Sequence, residues 1–368
     1  NYQMPEGLIK QKKFGIPNVG FPVKKAAQKF KSKFPLASSI PASELVDQTI
    51  SEAPYPIKSW FIYGTNLIHS LGDQKATLDA LQKLDFVVSV DVLPMEITGY
   101  ADVVLPESTY LERYDDLDDR SFREPYVAIR QPAVDPMYDT KPGFEIAKMM
   151  ANQMGLPSLF PNNVEDYLDD RLSKAGLSLR DLKKQGTYKK PESGLYRDPK
   201  QPLEFKTASG KIELASQKLS QNGFDSVPKF KKHPDSPKGY FRLLFGRAPM
   251  HTFGRTANNA VLGELMSENE LWINEISAKD MRLKQGEYVY LVNQSGVKSK
   301  TPIKIKMTQR IRPECVYMVH GFGHTDSRLK FAKGKGASDT DLVTNLSVDP
   351  IMGGTGMQNN FVTFTREA

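Results

Sequence analysis

One cysteine, Cys315, stands in a chain of 368 residues. A lone thiol excludes an intramolecular disulfide, and it excludes an iron–sulfur cluster ligated by this chain alone. Long apolar runs are missing too: no segment reaches the ~18 residues of a membrane span. Lys and Arg number 50 against 43 Asp and Glu, a formal net charge of +7, but the basic residues are spread out and build no nucleic-acid module. That balance suits an anionic substrate or an acidic partner. With 39% hydrophobic and 25% charged residues, the sequence is that of a folded protein, long enough for two or three domains.

A more local absence is that of carboxylates between Tyr240 and Gly263. A strand-like run, Phe241–Phe245, ends there in Gly246-Arg247. A polar cluster follows, with His251, Thr252, Gly254, Arg255, Thr256, Asn258 and Asn259. Glycines allow the backbone to turn tightly or approach a ligand closely. Arg247, His251 and Arg255 have no acid nearby to neutralise them, so the loop suits an anionic, heteroatom-rich ligand. A surface loop with solvated arginines is the competing reading from composition.

Upstream, residues 1–58 are rich in Lys, Pro and Ser and read as an extended connection, with a short amphipathic helix at Lys24–Lys33. Order begins at Ser59. Trp60–Tyr63 is a strand ending at Gly64-Thr65-Asn66, Ala76–Leu84 a helix, and Phe86–Val90 a strand apolar enough to be buried on both faces. The second strand ends in Asp91, a turn or cap carboxylate or else an acceptor for ligand donors. A short helix at Glu96–Tyr100 and a buried strand at Val103–Leu105 follow, preceded by Asp102 as a local partner. Alternating strands and helices imply a βαβ-type layer with its ligand at the carboxyl ends of the strands. The acidic run Glu112–Asp119 lacks the spacing and the glycine of a calcium loop, and reads as a solvated loop with local Arg–Asp pairs. Helices follow at Phe144–Met154, Val164–Ala175 and Leu179–Lys184. In the turn-rich stretch 186–237, Gly210 reads as the hairpin turn between Leu203–Lys206 and Lys211–Leu214.

From residue 240 onward, short strands with glycine turns argue for a closed barrel: Leu271–Asn274, Tyr288–Asn293, Thr301–Met307, Cys315–Val319 and Phe361–Thr365. Cys315 lies in an apolar strand and reads as a small buried hydrophobe. His320 and His324 are four apart, but Gly321 and Gly323 argue for a loop, with no third metal ligand evident. They read as hydrogen-bonding imidazoles, toward a ligand or, for His324, toward backbone. Asn345, Asn359 and Asn360 are amides able to match donor and acceptor edges of a heterocycle.

The segments HTFGRTANN, WFIYGTNLIHS, LDFVVSVDVLPMEITGYADVVLPESTYLER and RPECVYMVHGFGH resemble the carboxy-terminal half of molybdopterin oxidoreductase catalytic subunits, the dimethyl sulfoxide reductase family. HTFGRTANN looks like the polysulfide/thiosulfate reductase branch. Asn1 is not a methionine, and the resemblance explains that start by a further amino half. The implied fold class is α/β, a Rossmann-like layered domain followed by a C-terminal double-psi β-barrel. Its implied domains are a connection (1–58), a guanosine-binding lobe (59–185), a linker (186–237) and a dinucleotide-binding barrel (238–368).

The resemblance implies bis(molybdopterin guanine dinucleotide) with molybdenum or tungsten, and a 4Fe-4S cluster in the amino half. It places His251 and Arg255 at the catalytic centre and assigns no metal ligand to this chain. As cofactor contacts it implies Gly64, Asn66, Asp91, Gly246, Arg247, His251, Thr252, Gly254, Arg255, Thr256, His320, Gly321, Asn345, Asn359 and Asn360. Arg113, Arg120 or Arg123 would draw in an anion. The implied partners are the amino half, an iron–sulfur electron-transfer subunit, a membrane anchor and a small inorganic sulfur substrate, at the periplasmic face of the membrane. No nucleic acid is expected. Tetrathionate, arsenate or an S-oxide is the alternative substrate, and a structural subunit without metal the alternative function.

Overall fold

Strand propensity and strand order together build the site. A computed structural model describes residues 16, 32–37, 40–119, 124–189, 202–203 and 205–367. In chain order the strands are β1 (Ser59–Tyr63), β2 (Phe86–Asp91), β3 (Val103–Pro106), β4 (Tyr126–Ala128), β5 (Thr187–Lys189) and β6 (Phe241–Gly246). They continue as β7 (Glu270–Ile273), β8 (Tyr288–Asn293), β9 (Ile303–Met307), β10 (Cys315–Val319), β11 (Ser347–Val348), β12 (Thr355–Gly356) and β13 (Phe361–Thr365). Two compact units result. One gathers the described residues of Asn1–Lys29 and Pro106–Phe230, the other those of Phe30–Leu105 and Lys231–Ala368.

The second unit contains an α/β layer and a barrel. The layer is a sheet in the order β1-β2-β3, with β1 and β2 parallel from Ser59 opposite Phe86 to Tyr63 opposite Val90. Asp102 Oδ2 accepts from Val87 N at 2.7 Å, the local role its position suggested. The helix Gln74–Lys83 starts where Asp73 accepts from Ala76 N, and buries Thr77, Ala80 and Leu81 on one face. None of β1, β2 and β3 is buried on both faces, contrary to the expectation for β2 and β3. Phe61, Tyr63 and Phe86 are 48%, 49% and 45% exposed, and Val103 and Val104 are exposed as well. Apolar content predicts a strand but not what covers each face, and the helices of this unit cover one.

The barrel is closed, with strand order β10-β6-β13-β8-β9-β7. Its pairs β10–β6 and β7–β9 are parallel and the others antiparallel. Side chains alternate along each strand, so Leu243, Leu271, Ile273, Val289, Leu291, Ile303, Ile305, Val316, Met318 and Val362 fill the interior. Cys315 is buried, and burial together with Glu314 pushes its thiol pKa up, as fits an inert packing residue. A second apolar cluster joins Trp60, Ile62, Ile68, Leu81 and Val87 of the layer to Val319 at the end of β10 and to Phe322 and Leu329 beyond it. The layer and the barrel loops therefore share one core.

The other unit pairs β4 with β5 antiparallel, and the helices Val164–Ser173 and Leu179–Gln185 bury Leu168, Leu172, Leu179 and Leu182 with Val127. Its acidic loop carries the expected pairs: Arg113 with Asp115 and Glu107, Arg130 with Asp115, and buried Arg171 with Asp116.

Two further expectations fail. Residues 40–58 are not simply extended, because Ala42–Ser51 is a helix. Pro41 is its N-cap, where a missing N–H costs nothing, so the proline starts a helix instead of preventing one. No strand forms among the described residues between 205 and 214. Gly210 turns the chain at φ 67°, but the apolar side chains that would pair across a hairpin, Ile212 and Leu214, are exposed. The helix read at Lys24–Lys33 lies almost wholly outside the described residues, as do Arg120 and Arg123.

Candidate functional site

Within the second unit, four strand ends converge on a cavity of about 350 Å³. Thr65, Asn66, His69, Ser70, Asp91 and Met95 line it from the α/β layer; Thr252, Phe253, Gly254 and Arg255 from the loop after β6; His320 and His324 from the loop after β10.

After β1 the chain turns at Gly64, with φ 61° and its N–H donating to Val90 O at 2.8 Å. A Cβ there would stand 3.2 Å from Arg255 Nη2, so the guanidinium lies against this turn. After β2, Asp91 Oδ1 accepts from Val92 N at 2.7 Å, and the side chain faces the cavity.

The loop after β6 owes its shape to two residues that sequence reading placed at the chemistry. Buried His251 donates from Nε2 to Met266 O at 2.7 Å, which leaves Nδ1 to accept from the Thr256 hydroxyl at 3.2 Å. Thr256 Oγ1 in turn accepts from Thr252 N at 2.8 Å. Both ring nitrogens are thus used within the protein, and His251 and Thr256 brace the loop from behind. Arg247 stacks over Phe253, 4.5 Å from the ring centroid, beside the Gly246 strand end. Arg255 is exposed on the cavity wall, and among the described residues its guanidinium has no hydrogen-bond or ion-pair partner.

The two histidines spaced four apart do not act as a pair. His320 Nδ1 lies 2.9 Å from both oxygens of buried Asp339, leaving Nε2 without a protein partner among the described residues. Burial alone would lower the His320 pKa, but the hydrogen bond and charge of Asp339 outweigh it and raise the pKa above its ordinary value of 6.5. The stability from this pair is therefore fully present below the unfolded value and is lost as pH rises through the folded one. Asp339→Asn should reverse the sign of the shift, since burial and the Arg247 charge remain while the counter-charge goes. An NMR titration of the His320 ring checks this, and an unchanged midpoint would remove Asp339 from the account.

His324 instead reaches Glu96. Its Nδ1 is 3.1 Å from both carboxylate oxygens, its Nε2 3.1 Å from Gly254 O, and its ring stacks on His69 at 4.7 Å. Glu96 also accepts from Asn66 Nδ2 at 2.8 Å and Thr325 N at 2.9 Å, and His69 Nε2 lies 3.6 Å away. Burial works to raise the Glu96 pKa, but the hydrogen bonds from both imidazoles hold the carboxyl far below the usual carboxylate range. Residues 69, 96 and 324 are too far apart in sequence for any spacing to have revealed this cluster.

The structure brings Asn66, Asp91, Thr252, Gly254, Arg255 and His320 to one cavity, with Gly64 and Gly321 forming its turns. Asn345, Asn359 and Asn360 sit elsewhere. Asn360 Oδ1 accepts from Gln294 Nε2, Thr344 N and Asn345 N, and Nδ2 donates to Asn345 O and Met357 O, which exhausts the amide. Asn359 Oδ1 accepts from Arg242. Arg113 is occupied by Glu107, Asp115 and Ser108 O. Among the described residues no helix is long and apolar enough to cross a membrane.

Residues 24–153 match the family model "Molybdopterin oxidoreductase", and residues 241–361 match "Molydopterin dinucleotide binding domain". The thiosulfate reductase molybdopterin-containing subunit of Salmonella typhimurium is 29% identical over 304 residues, 76% of this chain and 40% of that protein. A dimethyl sulfoxide reductase of Escherichia coli is 24% identical over 342 residues, 83% of this chain and 41% of its own. The chain thus spans about 40% of the length of these relatives. Acetylene hydratase from Pelobacter acetylenicus has the same fold, with a TM-score of 0.73 at 21% identity over 88% of this chain and 46% of that one. The chain belongs to the molybdopterin oxidoreductase family, of the dimethyl sulfoxide reductase type, and carries the dinucleotide-binding domain of that family.

Proposed function

We propose that this chain embraces a molybdopterin guanine dinucleotide within a larger molybdenum or tungsten enzyme that acts on thiosulfate or polysulfide. The observation that carries this reading is the cavity wall: an Arg255 unpaired among the described residues, a His320 held toward its charged form, and a loop after β6 free of carboxylates. Such a wall fits phosphate, a pterin edge or an anionic sulfur compound. The volume suits one end of a dinucleotide and not two whole cofactors, so the remaining contacts would come from other parts of the enzyme.

The bound cofactor would supply the two-electron chemistry, and the residues here bind and orient it. Arg255 and Thr252 contact its anionic or hydroxyl groups. Asp91 meets guanine or ribose donors, while Gly64, Asn66 and Gly254 allow close backbone approach. His320 donates from Nε2, with Asp339 fixing the ring. His251 and Thr256 are positioning residues. The mixed parallel and antiparallel barrel is read as a double-psi barrel closing over the pterins, and 59–185 and 238–368 as the nucleotide lobe and that barrel. Electrons would pass through a 4Fe-4S cluster of the amino half to an iron–sulfur partner and a membrane anchor at the periplasmic face.

Arg255→Ala is expected to lower turnover per bound metal at least about tenfold, roughly 1.4 kcal/mol, whereas a solvated arginine would cost almost nothing. Rates with thiosulfate, polysulfide and dimethyl sulfoxide should be measured on the complete enzyme, alongside metal and guanine content. Normal rates at normal metal content would exclude Arg255 from the site; loss of metal would place it in cofactor retention. Dimethyl sulfoxide reduction is the second reading, because three relatives of that name match 83% of the chain or more.

A further inference from the structure

We propose that His69, Glu96 and His324 form a binding site for a divalent transition-metal ion, zinc before others, separate from the pterin-bound metal. The three side chains are buried, and one donor atom from each lies within 4.8 Å of the other two. His324 Nδ1 and His69 Nε2 stand 3.1 and 3.6 Å from Glu96 Oε1. Two ligands on a tetrahedral zinc at ~2.0–2.1 Å lie about 3.3 Å apart, so only small movements would seat an ion among them.

The surroundings match what a metal site requires beyond its ligands. The second nitrogen of each imidazole is already engaged: His324 Nε2 with Gly254 O at 3.1 Å, His69 Nδ1 with Ser338 Oγ at 3.4 Å. Gly254 O can only accept, so a neutral His324 carries its proton on Nε2 and turns the Nδ1 lone pair toward Glu96; the Ser338 hydroxyl can accept from His69 Nδ1 and leave the Nε2 lone pair facing the same carboxylate. The carboxylate is itself oriented, Oε2 by Asn66 Nδ2 and Oε1 by Thr325 N. A separate observation points to a further ligand. Asn66 Oδ1 is buried with no hydrogen-bond partner among the described residues. It sits on the residue that holds Glu96, where it would accept from a water in the fourth position of the ion. Two imidazoles, one carboxylate and one water form a donor set typical of zinc.

The competing occupant is protons on both histidines. With Glu96 ionised, two protons and one divalent ion give the same net charge, so charge alone does not choose between them. An ion satisfies all three lone pairs from one point, and its water satisfies Asn66 Oδ1; two protons leave that oxygen bare. The ion would tie the α/β layer to the loop after β10, in the wall of the cofactor cavity that His69 and His324 line.

The purified protein, dialysed against a chelator, should be titrated with zinc in competition with a chromophoric chelator, and separately with Co(II). Element-specific analysis distinguishes this ion from molybdenum or tungsten. One equivalent of zinc per chain is expected, with the visible ligand-field absorption of four-coordinate Co(II) that zinc abolishes. Ser338→Ala removes the hydroxyl beside His69 Nδ1, together with its bond to Thr340 Oγ1, and should weaken zinc binding about 10–100-fold in a folded protein. His69→Gln should abolish the Co(II) spectrum. A wild-type protein that takes up no zinc from micromolar solution, or binds it no more tightly than folded Ser338→Ala, overturns the proposal. The wild-type titration decides the matter even if His69→Gln does not fold.

Discussion

Glu96→Ala is expected to destabilise the protein by about 3–5 kcal/mol, the range for removing one partner of a buried charged pair. The carboxylate is the common acceptor for Asn66 Nδ2, His324 Nδ1 and Thr325 N, with His69 Nε2 close by. Alanine would leave those donors buried without an acceptor and the imidazoles without a counter-charge. Glutamine would not rescue it, because its amide N–H must face one of the same donors. The pH dependence should change as well. A carboxyl whose folded pKa is depressed contributes stability that is complete above its unfolded value of 4.5 and is lost as pH falls through the folded value. Wild-type stability should therefore keep declining in acid below about pH 4.5, and Glu96→Ala should lose that part of the slope. Urea unfolding at several pH values measures both effects. A loss below about 1 kcal/mol at neutral pH would show that the cluster relaxes around the deletion.

Gly321→Ala should be comparably damaging, for a steric reason. Gly321 has φ 93°, and a Cβ there would lie 2.4 Å from the carbonyl carbon and oxygen of Phe253. Those are backbone atoms of the cavity loop, so the clash cannot be relieved by turning a side chain. Left-handed strain alone costs about 1–2 kcal/mol, and displacing the loop adds the Gly254 O contact to His324 and the seat of Arg255. About 3 kcal/mol or more in total is expected, with loss of ligand binding at the cavity. Gly239→Ala is the matched control, since Gly239 has φ 82° but nothing within 4 Å of an added Cβ. Equal costs for the two variants, by thermal or urea unfolding, would mean that the collision is absorbed.

Much of the fold is legible because strand signals are local. Trp60–Tyr63, Phe86–Val90, Tyr288–Asn293, Cys315–Val319 and Phe361–Thr365 all fall within observed strands, and glycine turns mark the barrel. Neighbours across space are not local. An apolar strand such as Phe86–Val90 looks the same whether one face or two are covered, and Pro41 looks the same before a helix as inside a loop. The site divides in the same way. The carboxylate-free loop after β6 is evident from composition, but composition cannot tell wall from brace, so Arg255 faces the cavity while His251 supports the loop from behind. Asn360 shows the same limit, an amide suited to a heterocycle yet consumed by its own backbone. The Glu96 cluster, assembled from three distant segments, left no trace in any spacing.

The order of strands in the barrel bears on how the protein is made. β13, at Phe361–Thr365, lies between β6 and β8, so the ring is open until those residues leave the ribosome. During synthesis β6 is followed first by its neighbour β10, starting at Cys315, and its other neighbour, β13, comes only at Phe361. Until the ring closes, the interior faces of strands already made, such as those carrying Leu243, Leu271 and Leu291, lack part of their cover, and exposed apolar strands of this kind favour aggregation. A stalled or prematurely terminated translation product would lack the closing strand, and its failure would be in folding before any question of cofactor arose.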